Sequence, residues 1–328
     1  MANTTIEQEQ DFQRQADPYR RELLAHCYRM LGSIHDAEDL VQETYLRAWR
    51  SYEGFEGRSS LRTWLYRIAT NCCLTAIDQR GHRPMPSGLG APGDDPERPV
   101  VASPEVPWLE PVPDTVLGAD AADPATIVAS RETTRLAFVA ALQHLPPNQR
   151  VVLILREVLK WKAAEVAELL EISTASVNSA LQRARAQIQE AAPAEDEMVE
   201  PTDPGQRELL DRYATLFENA DIKGLVELFK EDAVWEMPPF PEWFVGRDHI
   251  ARLVIAQCGP LPGDFRMVPT AANGQPAFAL YKRDEEGVYH PYQIQVLAVG
   301  GAGVSHASVF FDVRLFRFFG LPESLPAA

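Results

Sequence analysis

A run of hydrogen-bonding side chains near the middle of the chain could recognise nucleic acid. Residues 164–185 read AEVAELLEISTASVNSALQRAR, and no acidic residue follows Glu171 until Glu190. Asparagine and glutamine amides can pair with adenine edges, and arginine can pair with guanine or with a phosphate. The segment therefore predicts DNA contacts through Ser176, Asn178, Ser179, Gln182, Arg183 and Arg185.

Two helices and a tight turn must position these side chains. The spacing of apolar residues predicts one helix ending near Leu170, a turn over 171–173 and a second helix beginning at Thr174. Ser173 or Thr174 can cap the second helix by accepting a hydrogen bond from a free backbone N–H. Glu171 stands where such turns usually have glycine, which predicts a less relaxed backbone. The pattern is that of a helix-turn-helix, although an ordinary helical hairpin with a polar face shares the apolar template.

Composition limits the classes of protein to which the chain can belong. It has 328 residues, 45% of them hydrophobic, so we expect two or three domains with substantial cores. Its first residues, MANTTIEQEQDFQRQ, are polar, and no apolar run approaches the roughly 20 residues of a membrane helix. We therefore expect a soluble, cytoplasmic protein without membrane association. The four cysteines form no C-x-x-C, and nucleotide-binding and metal-binding motifs are absent, so we expect free thiols, no cofactor and no metal.

A formal net charge of −16 is unfavourable for DNA binding by the chain as a whole. Acidity disfavours non-specific coating of DNA, because that mode depends on neutralising phosphates. The acid is unevenly spread, however. Residues 81–130 hold eight acids and two arginines, and residues 201–328 hold 17 acids and 11 bases. The helix-turn-helix is not itself strongly acidic, so a local basic surface can still meet DNA.

Changes in composition divide the chain into five parts. Ten of the 26 prolines fall in residues 81–125, a composition that cannot build a core and predicts a linker. A second acidic linker is predicted over 191–205. The remaining parts are helical regions over 1–80 and 126–190 and an α+β domain over 206–328. In that last domain we predict helices at 205–220, 221–230 and 247–257, and strands at 232–237, 276–283, 290–299 and 303–316.

The first helical block carries two chemically distinct faces. Asp36, Asp39, Glu43 and Arg47 recur at helical spacing and form one charged face. Further along, LRTWLYRIATN places Arg62, Trp64, Arg67 and Asn71 near one another on a helix. Cations interleaved with aromatic rings suit single-stranded nucleic acid, because bases stack on rings while arginines meet phosphates. An amphipathic helix with Trp64 and Tyr66 in the core explains the same residues equally well.

Several motifs together resemble one family of proteins. DAEDLVQETYLRAW, LRTWLYRIATN, LPPNQRVVLILREVLKWKAAEVAELL and VNSALQRAR, in this order over roughly residues 18–190, resemble extracytoplasmic-function sigma factors of bacterial RNA polymerase. The resemblance implies two all-α domains: a helical bundle, sigma domain 2, over 1–80, and a helix-turn-helix, sigma domain 4, over 126–190. It also implies as partners promoter DNA and the β′ clamp and β flap of core polymerase.

The resemblance assigns roles to named residues. It implies that Asp36, Asp39, Gln42 and Glu43 bind the β′ clamp helices. The residues implied for the melted −10 element are Phe55, Ser59, Ser60, Arg62, Trp64, Arg67 and Asn71. Those implied for the −35 element are Ser176, Asn178, Ser179, Gln182, Arg183 and Arg185, although many relatives carry a basic residue where Asn178 or Ala180 stands. Polymerase would supply most of the attraction for DNA, which reconciles the role with the acidity.

The proline-rich linker contains an apolar segment that is unusual for a tether. Trp108 and Leu109 lie in ASPEVPWLEPVPDTV, residues 102–116, and are not expected to remain in water. The segment resembles the Trp-Leu-Pro-rich linker motif of sigma factors that carry an extra carboxy-terminal domain. It is either a tether packed on one domain or a docking segment that links polymerase, domain 2 and the last domain.

The last domain resembles the SnoaL-like branch of the nuclear-transport-factor-two-like fold, over roughly 206–320. That resemblance implies a curved sheet wrapped by helices into a cone. Alternation along 304–312 places His306, Ser308, Phe310 and Asp312 on one face. The candidate pocket residues are Trp235, Trp243, Tyr281, His290, His306 and Asp312.

Two functions are consistent with the whole sequence. In the first, the chain is a non-enzymatic sigma factor that directs transcription initiation, and its fused domain tunes activity in place of a separate anti-sigma factor. In the alternative, the last domain is a small-molecule-binding or isomerase/cyclase-type enzyme and the sigma half is secondary. Dense sigma motifs and sparse pocket motifs favour the first. An unidentified small molecule in the last domain is a further candidate partner.

Overall fold

The computed structural model describes residues 10–57, 59–117, 133, 135–191, 204–301 and 303–327. The chain divides into two compact units, one formed by 1–83 with 115–193 and the other by 84–114 with 194–328. The described part of the first unit is helical, and that of the second combines helices with a six-stranded sheet. The predicted fold class, two all-α domains followed by an α+β domain, is confirmed.

Seven helices build the described part of the first unit. They are α1 (Arg20–Leu31), α2 (Ile34–Ser51), α3 (Leu61–Arg80), α4 (Leu136–Gln143), α5 (Pro147–Leu153), α6 (Ala163–Leu170) and α7 (Thr174–Ala191). Serine hydroxyls begin two of them: Ser33 accepts from the Asp36 N–H at 3.1 Å, and Ser60 accepts from the Thr63 N–H at 3.1 Å. Gly32 ends α1 in the left-handed conformation, which costs glycine little.

The core of the first unit is centred on α1. This helix lies against α2 and α3, and also against α4 and α5 from the second stretch of chain. As a result nine consecutive residues, Leu23 to Leu31, are buried, including His26 and Arg29. Burial, together with the nearby positive charge of Arg29, lowers the pKa of His26 to about 3, so the imidazole is neutral in the folded chain at neutral pH.

The helix-turn-helix prediction is confirmed in detail. Helix α6 ends at Leu170, α7 begins at Thr174, and the Ser173 hydroxyl accepts from the Ser176 N–H at 3.1 Å. Glu171 has φ 56°, which lies in the left-handed region. This conformation is less favourable for glutamate than for glycine, as expected for this position of the turn. The four cysteines are free, as predicted.

The second unit packs helices on one face of its sheet. The helices are α8 (Pro204–Glu218), α9 (Ile222–Val226) and α10 (Arg247–Cys258); the strands are β1 (Phe229–Glu236), β2 (Trp243–Val245), β3 (Phe265–Ala272), β4 (Gln275–Arg283), β5 (Tyr289–Gly300) and β6 (Gly303–Phe310). The strand order is β2-β1-β6-β5-β4-β3, with β1 and β6 parallel and all other pairs antiparallel. Tyr213 and Phe217 of α8 and Leu253 of α10 pack with Trp235 and Phe278 of the sheet.

Two parts of the strand prediction differ from the structure. Strands β2 and β3 were not predicted, because β2 has only three residues and β3 contains Pro269, which is tolerated in this edge strand. The strand predicted over 303–316 ends at Phe310. Asp312 instead caps a 3₁₀ turn, Val313–Arg317, by accepting from the Arg314 N–H at 3.0 Å, and so does not continue the alternation of β6.

Most of the segment predicted as a linker over 81–125 is packed against a domain. Residues 84–114, called the strap below, have almost no regular structure but pack on the second unit. They dock because their apolar side chains are buried there: Leu109 and Val112 are fully buried and Trp108 is 8% exposed. The strap is therefore part of a domain rather than a free tether. Residues 118–125 and most of the predicted 191–205 linker lie outside the described residues.

Gly303 offers a direct test of the second unit's packing. It has φ 123°, and a Cβ there would lie 2.4 Å from the Leu228 carbonyl oxygen. We expect Gly303→Ala to lower the free energy of unfolding of this unit by about 2–4 kcal/mol. Gly90→Ala is the matched control, since a Cβ at Gly90 meets nothing within 4 Å. Equal urea midpoints for the two variants would contradict the packing described.

Candidate nucleic-acid interface

Helix α7 presents its predicted DNA-reading residues to solvent. Val177, Ala180 and Ala184 turn into the core, and the six residues predicted for the −35 element are all exposed. Arg185 is paired with Glu157. The helix therefore has the polar outer face and apolar inner face that a groove-reading helix needs.

Half-buried aromatic rings line the approach to α3. Phe55 and Trp64 stack with centroids 4.7 Å apart, and Tyr52 and Trp49 continue the row at 6.4 and 6.5 Å. Such a row offers ring faces to unpaired bases. Phe55 and Trp64 were predicted from the sequence as members of this surface, whereas Trp49 and Tyr52 were not. The spacing of three residues between Trp49 and Tyr52, at the end of a helix, indicated that their rings lie side by side.

The explanation of α3 as an amphipathic helix with aromatic rings in the core applies fully to one of its two rings. Tyr66 is fully buried, as expected for a core position, whereas Trp64 is only half-buried. Ser60 caps the helix, and Ser59 lies beside it in the loop. Asn71 is exposed on the same helix as Arg62 and Arg67.

The arginines on α3 are already engaged with carboxylates. Arg62 makes a two-pronged hydrogen bond to Glu22, with N···O distances of 2.7–3.0 Å, and its guanidinium lies 5.1 Å from the Tyr66 ring centre. Arg67 is paired with Glu171, which lies in the turn of the helix-turn-helix. Both arginines are therefore oriented by a carboxylate of the protein, and both side chains remain partly exposed.

The predicted polymerase-binding face of α2 is acidic and mostly open. Asp39 and Gln42 are exposed, and Glu43 is half-buried and paired with Arg47 at 2.7 Å. Asp36 differs, because Arg83 and Arg80 both bind it. Burial alone would raise the pKa of Asp36, but these two arginines hold that pKa below its usual range. Asp36 therefore stays ionised while tying the end of α3 to the start of α2.

Residues predicted for the two promoter elements share one groove. Arg67, Asn71 and Leu74 of α3 line one wall. The other wall includes Ile172 of the turn and Ser176 and Arg183 of α7.

The six candidate pocket residues are not assembled into one site. Trp235 lies in the helix-side core, while Trp243 donates to the Gly90 carbonyl at 3.1 Å. Tyr281 donates to the Pro322 carbonyl at 2.8 Å. His290 contacts Asp284 at the surface, and Asp312 caps the 3₁₀ turn. The acid–base pairing of His306 with Asp312 expected from alternation fails because β6 ends before Asp312.

The carboxylate that meets His306 is Glu236, a residue that sequence reasoning missed. Glu236 is 2% exposed; its Oε1 lies 2.6 Å from His306 Nε2 and accepts from the Ser308 hydroxyl at 3.2 Å. In the parallel register, Glu236 is opposite Ser308 on β6. These side chains point away from the face that carries Trp235, because neighbouring residues of a strand alternate. The sequence did not predict this contact because it depends on the register between the parallel strands β1 and β6.

Glu236 also holds the beginning of the strap. Its Oε2 accepts from the backbone N–H of Ser87 at 3.1 Å. Burial by itself would raise the pKa of Glu236, but His306 and the Ser87 N–H bring that pKa below its usual value. A buried, ionised carboxylate is therefore satisfied partly by its own sheet and partly by the strap.

Backbone hydrogen bonds fix the rest of the strap to the unit. The Gly93 N–H donates to the Trp243 carbonyl at 2.7 Å, and the Ser103 N–H donates to the Pro239 carbonyl at 2.8 Å. Val112 and Asn273 exchange two bonds at 2.9 and 3.0 Å. The Trp108 indole donates within the strap, to the Ser103 carbonyl at 2.9 Å. The Leu109 N–H likewise donates within the strap, to the Pro84 carbonyl at 3.1 Å.

Comparisons with known proteins decide the family. Family models match residues 16–83 (Sigma-70 region 2), 135–188 (Sigma-70, region 4) and 210–313 (SnoaL-like domain). The ECF RNA polymerase sigma factor SigG of Mycobacterium tuberculosis (strain ATCC 25618 / H37Rv) is 56% identical over 317 residues, covering 96% of this chain and 85% of SigG. The chain belongs to the ECF RNA polymerase sigma factors.

This sigma factor also resembles SigJ of the same organism, with 29% identity over 244 residues, covering 72% of this chain and 70% of SigJ. The crystal structure of SigJ matches it with a TM-score of 0.58 at 24% identity, over 93% of this chain and 98% of that one. That likeness supports the fold alone. Within the described residues of this sigma factor, no helix is long and apolar enough to cross a bilayer.

Replacing Glu236 should produce a pH-dependent loss of stability. A carboxyl whose pKa is lowered by folding contributes stability above its unfolded pKa, near 4.5, and that contribution is lost as pH falls through the lower folded pKa. We expect Glu236→Gln to cost about 1–3 kcal/mol at neutral pH and progressively less below pH 4.5. Urea unfolding across this range measures the difference. The control is the exposed Glu285→Gln, and a cost that does not change with pH would contradict the assignment.

Proposed function

We propose that this sigma factor binds core RNA polymerase and directs it to promoters that carry −35 and −10 elements. The supporting observation is that one chain carries two suitable surfaces, each within a region that matches the family. The exposed face of α7 has no acid from Thr174 to Gln189, and α3 bears arginines beside a row of aromatic rings. The polar side chains of α7 can read base edges in a DNA duplex, and the aromatic rings beside α3 can stack on unpaired bases. We place this action in the cytoplasm, where polymerase meets the chromosome.

The roles of individual residues follow from their positions. Asp39, Gln42 and Glu43 offer an acidic face of α2 to the β′ clamp, and Asp36 supports that face through Arg80 and Arg83. The rings of Phe55 and Trp64 stack on melted −10 bases. Asn178, Ser179, Gln182 and Arg183 read the −35 element, with Ser176 and Arg185 near the backbone.

We further propose that the SnoaL-like domain tunes transcription through the strap. The strap is the first part of the chain between regions 2 and 4, and it is held by Glu236, Trp243 and Asn273 of that domain. A change in the domain therefore changes the tether that governs how far region 4 can move from region 2. This contribution needs no ligand, although a small molecule that altered the strap's contacts would act by the same route.

Single substitutions on α7 test the −35 assignment. We expect Arg183→Ala to cost about 1–3 kcal/mol in promoter binding by the holoenzyme, because a bidentate base or phosphate contact is lost. Gln187→Ala is the control, because Gln187 is exposed on the same helix outside the predicted set. Binding is measured by titrating holoenzyme against labelled promoter DNA. Equal losses for both variants, or none for Arg183→Ala, would remove Arg183 from the interface.

Removing the strap's anchors tests the regulatory role. We expect Trp108→Ala with Leu109→Ala to change run-off transcription in the same direction as a chain ending near Ala192, because both release the strap from the SnoaL-like domain. The double variant Val101→Ala with Leu89→Ala is the control, since those strap side chains are exposed. Unchanged transcription and unchanged core affinity in both the anchor variant and the shortened chain would refute tuning by this domain.

A further inference from the structure

Two lysines lie on either side of a buried tryptophan in the turn that leads into the helix-turn-helix. Lys160 and Lys162 are exposed, whereas Trp161 is 6% exposed. Hydrogen bonds fix this turn: the Trp161 N–H donates to the Leu155 carbonyl at 2.9 Å, and the Arg156 side chain donates to the Trp161 carbonyl. The two ammonium groups are therefore carried by one ordered turn.

Lys160 occupies a backbone position that is unfavourable for its own side chain. Its φ is 58°, in the left-handed region that is usually occupied by glycine where a helix ends. A residue with a Cβ is less stable than glycine in this conformation, because the Cβ crowds the following carbonyl oxygen. The local fold alone therefore does not account for a lysine at this position.

Lys162 is also an unfavourable choice, because it precedes the first residue of α6. This position favours serine, threonine, aspartate and asparagine, whose oxygens accept from free backbone N–H groups. The Lys162 side chain makes no such cap, and a positive charge near the start of a helix opposes the helix dipole. The Glu165 carboxylate, which accepts from the Lys162 N–H at 2.6 Å, offsets part of this cost. Two neighbouring departures from local preference, both to lysine, indicate a binding role.

Neither lysine is engaged by a carboxylate. Within the described ranges of the chain, Lys160 and Lys162 form no ion pair. They differ in this respect from Arg62, Arg67 and Arg185, each of which is paired with a glutamate. A phosphate can therefore bind the two ammonium groups without displacing a carboxylate of the protein.

The turn lies beside the helix that carries the predicted −35 residues. Glu157, three residues before Lys160, is paired with Arg185 of α7. In a helix-turn-helix the second helix enters the major groove, while the first helix crosses the sugar–phosphate backbone. The turn that leads into α6 is therefore placed where a DNA strand passes.

We propose that Lys160 and Lys162 form a phosphate clamp, which holds the DNA backbone beside the −35 element. The ligand is the phosphate of a duplex strand, and the contact adds affinity without base specificity, because every sequence carries the same phosphates. Trp161 is the buried anchor that keeps both cations on one turn. This inference rests on the proposed function, because it extends the DNA-binding surface assigned to α7.

Lys160→Gly separates a role in DNA binding from a role in the fold. Glycine relaxes the left-handed backbone, so we expect the urea midpoint of the first unit to rise. The same change removes one phosphate contact. Promoter binding by the holoenzyme should therefore weaken about threefold to tenfold near 0.1 M salt, and the slope of log affinity against log salt should become shallower by about 0.9. Lys160→Arg is the matched control, because it keeps both the charge and the Cβ and should leave both measurements unchanged.

Lys162→Ser is the parallel change, because serine can cap α6 while the second charge is removed. Loss of a phosphate contact weakens binding by the same factor on any sequence. We therefore expect both lysine variants to lose equal affinity for the promoter and for a template whose −35 element is replaced. Arg183→Ala, which alters a predicted base contact, should lose affinity mainly for the intact promoter.

Three outcomes would overturn the phosphate clamp. A raised urea midpoint with unchanged affinity and unchanged salt slope would show that the lysines do not contact DNA. A lowered midpoint for both lysine variants would place their role in the fold. Loss of binding for Arg183→Ala, but for neither lysine variant, would reject the clamp and retain the proposed function. Absence of promoter binding by the wild-type holoenzyme would instead contradict the proposed function, and the clamp with it.

Discussion

Pairing of arginines with carboxylates inside the chain is the interaction that orients most of the arginines proposed to contact DNA. With a net charge of −16, the protein can approach phosphates only through local surfaces whose acids are removed or neutralised. Arg62 binds Glu22, Arg67 binds Glu171, and Arg185 binds Glu157. Three of the four arginines proposed to contact DNA are therefore held in place by acids.

The strap shows how a segment without a core of its own can still be ordered. Its prolines remove backbone donors and prevent a long helix, so the strap forms no core of its own. Its apolar side chains are therefore buried only by packing against another surface. That surface is the outer face of the SnoaL-like sheet and its loops, where Glu236 accepts from Ser87 and Asn273 exchanges bonds with Val112. Gly93 shows how close the approach is, since a Cβ there would lie 2.7 Å from the Phe244 ring. The first part of the connection between regions 2 and 4 is consequently held on the last domain.

Local patterns predicted what depends on neighbours in sequence. The turn over residues 171–173, the capping role of Ser173 and the helices of the first unit all follow from apolar spacing and capping chemistry. The β3–β4 hairpin was equally accessible, because Asn273-Gly274 with φ 56° and 69° is a strong turn signal, but Pro269 obscured the first strand. A tryptophan-leucine pair in a proline-rich stretch correctly indicated burial.

What could not be predicted depends on contacts distant in sequence. Glu236 meets His306 only because β1 pairs in parallel with β6 across 70 residues, and no spacing encodes that register. The engagement of Arg67 with Glu171 likewise depends on how region 4 lies on region 2, so an arginine assigned to DNA is found bound to protein. The sequence indicated candidate residues by their chemistry, and three-dimensional packing determines which partners they have in the protein.

The most direct test of the account is run-off transcription from the chain's own upstream region, with purified core polymerase and templates in which the −35 or the −10 element is replaced. The account predicts a transcript only when the sigma factor and core polymerase are both present, and loss of that transcript when either element is replaced. Transcripts that ignore both replacements, or tight promoter binding by the sigma factor without core polymerase, would contradict it.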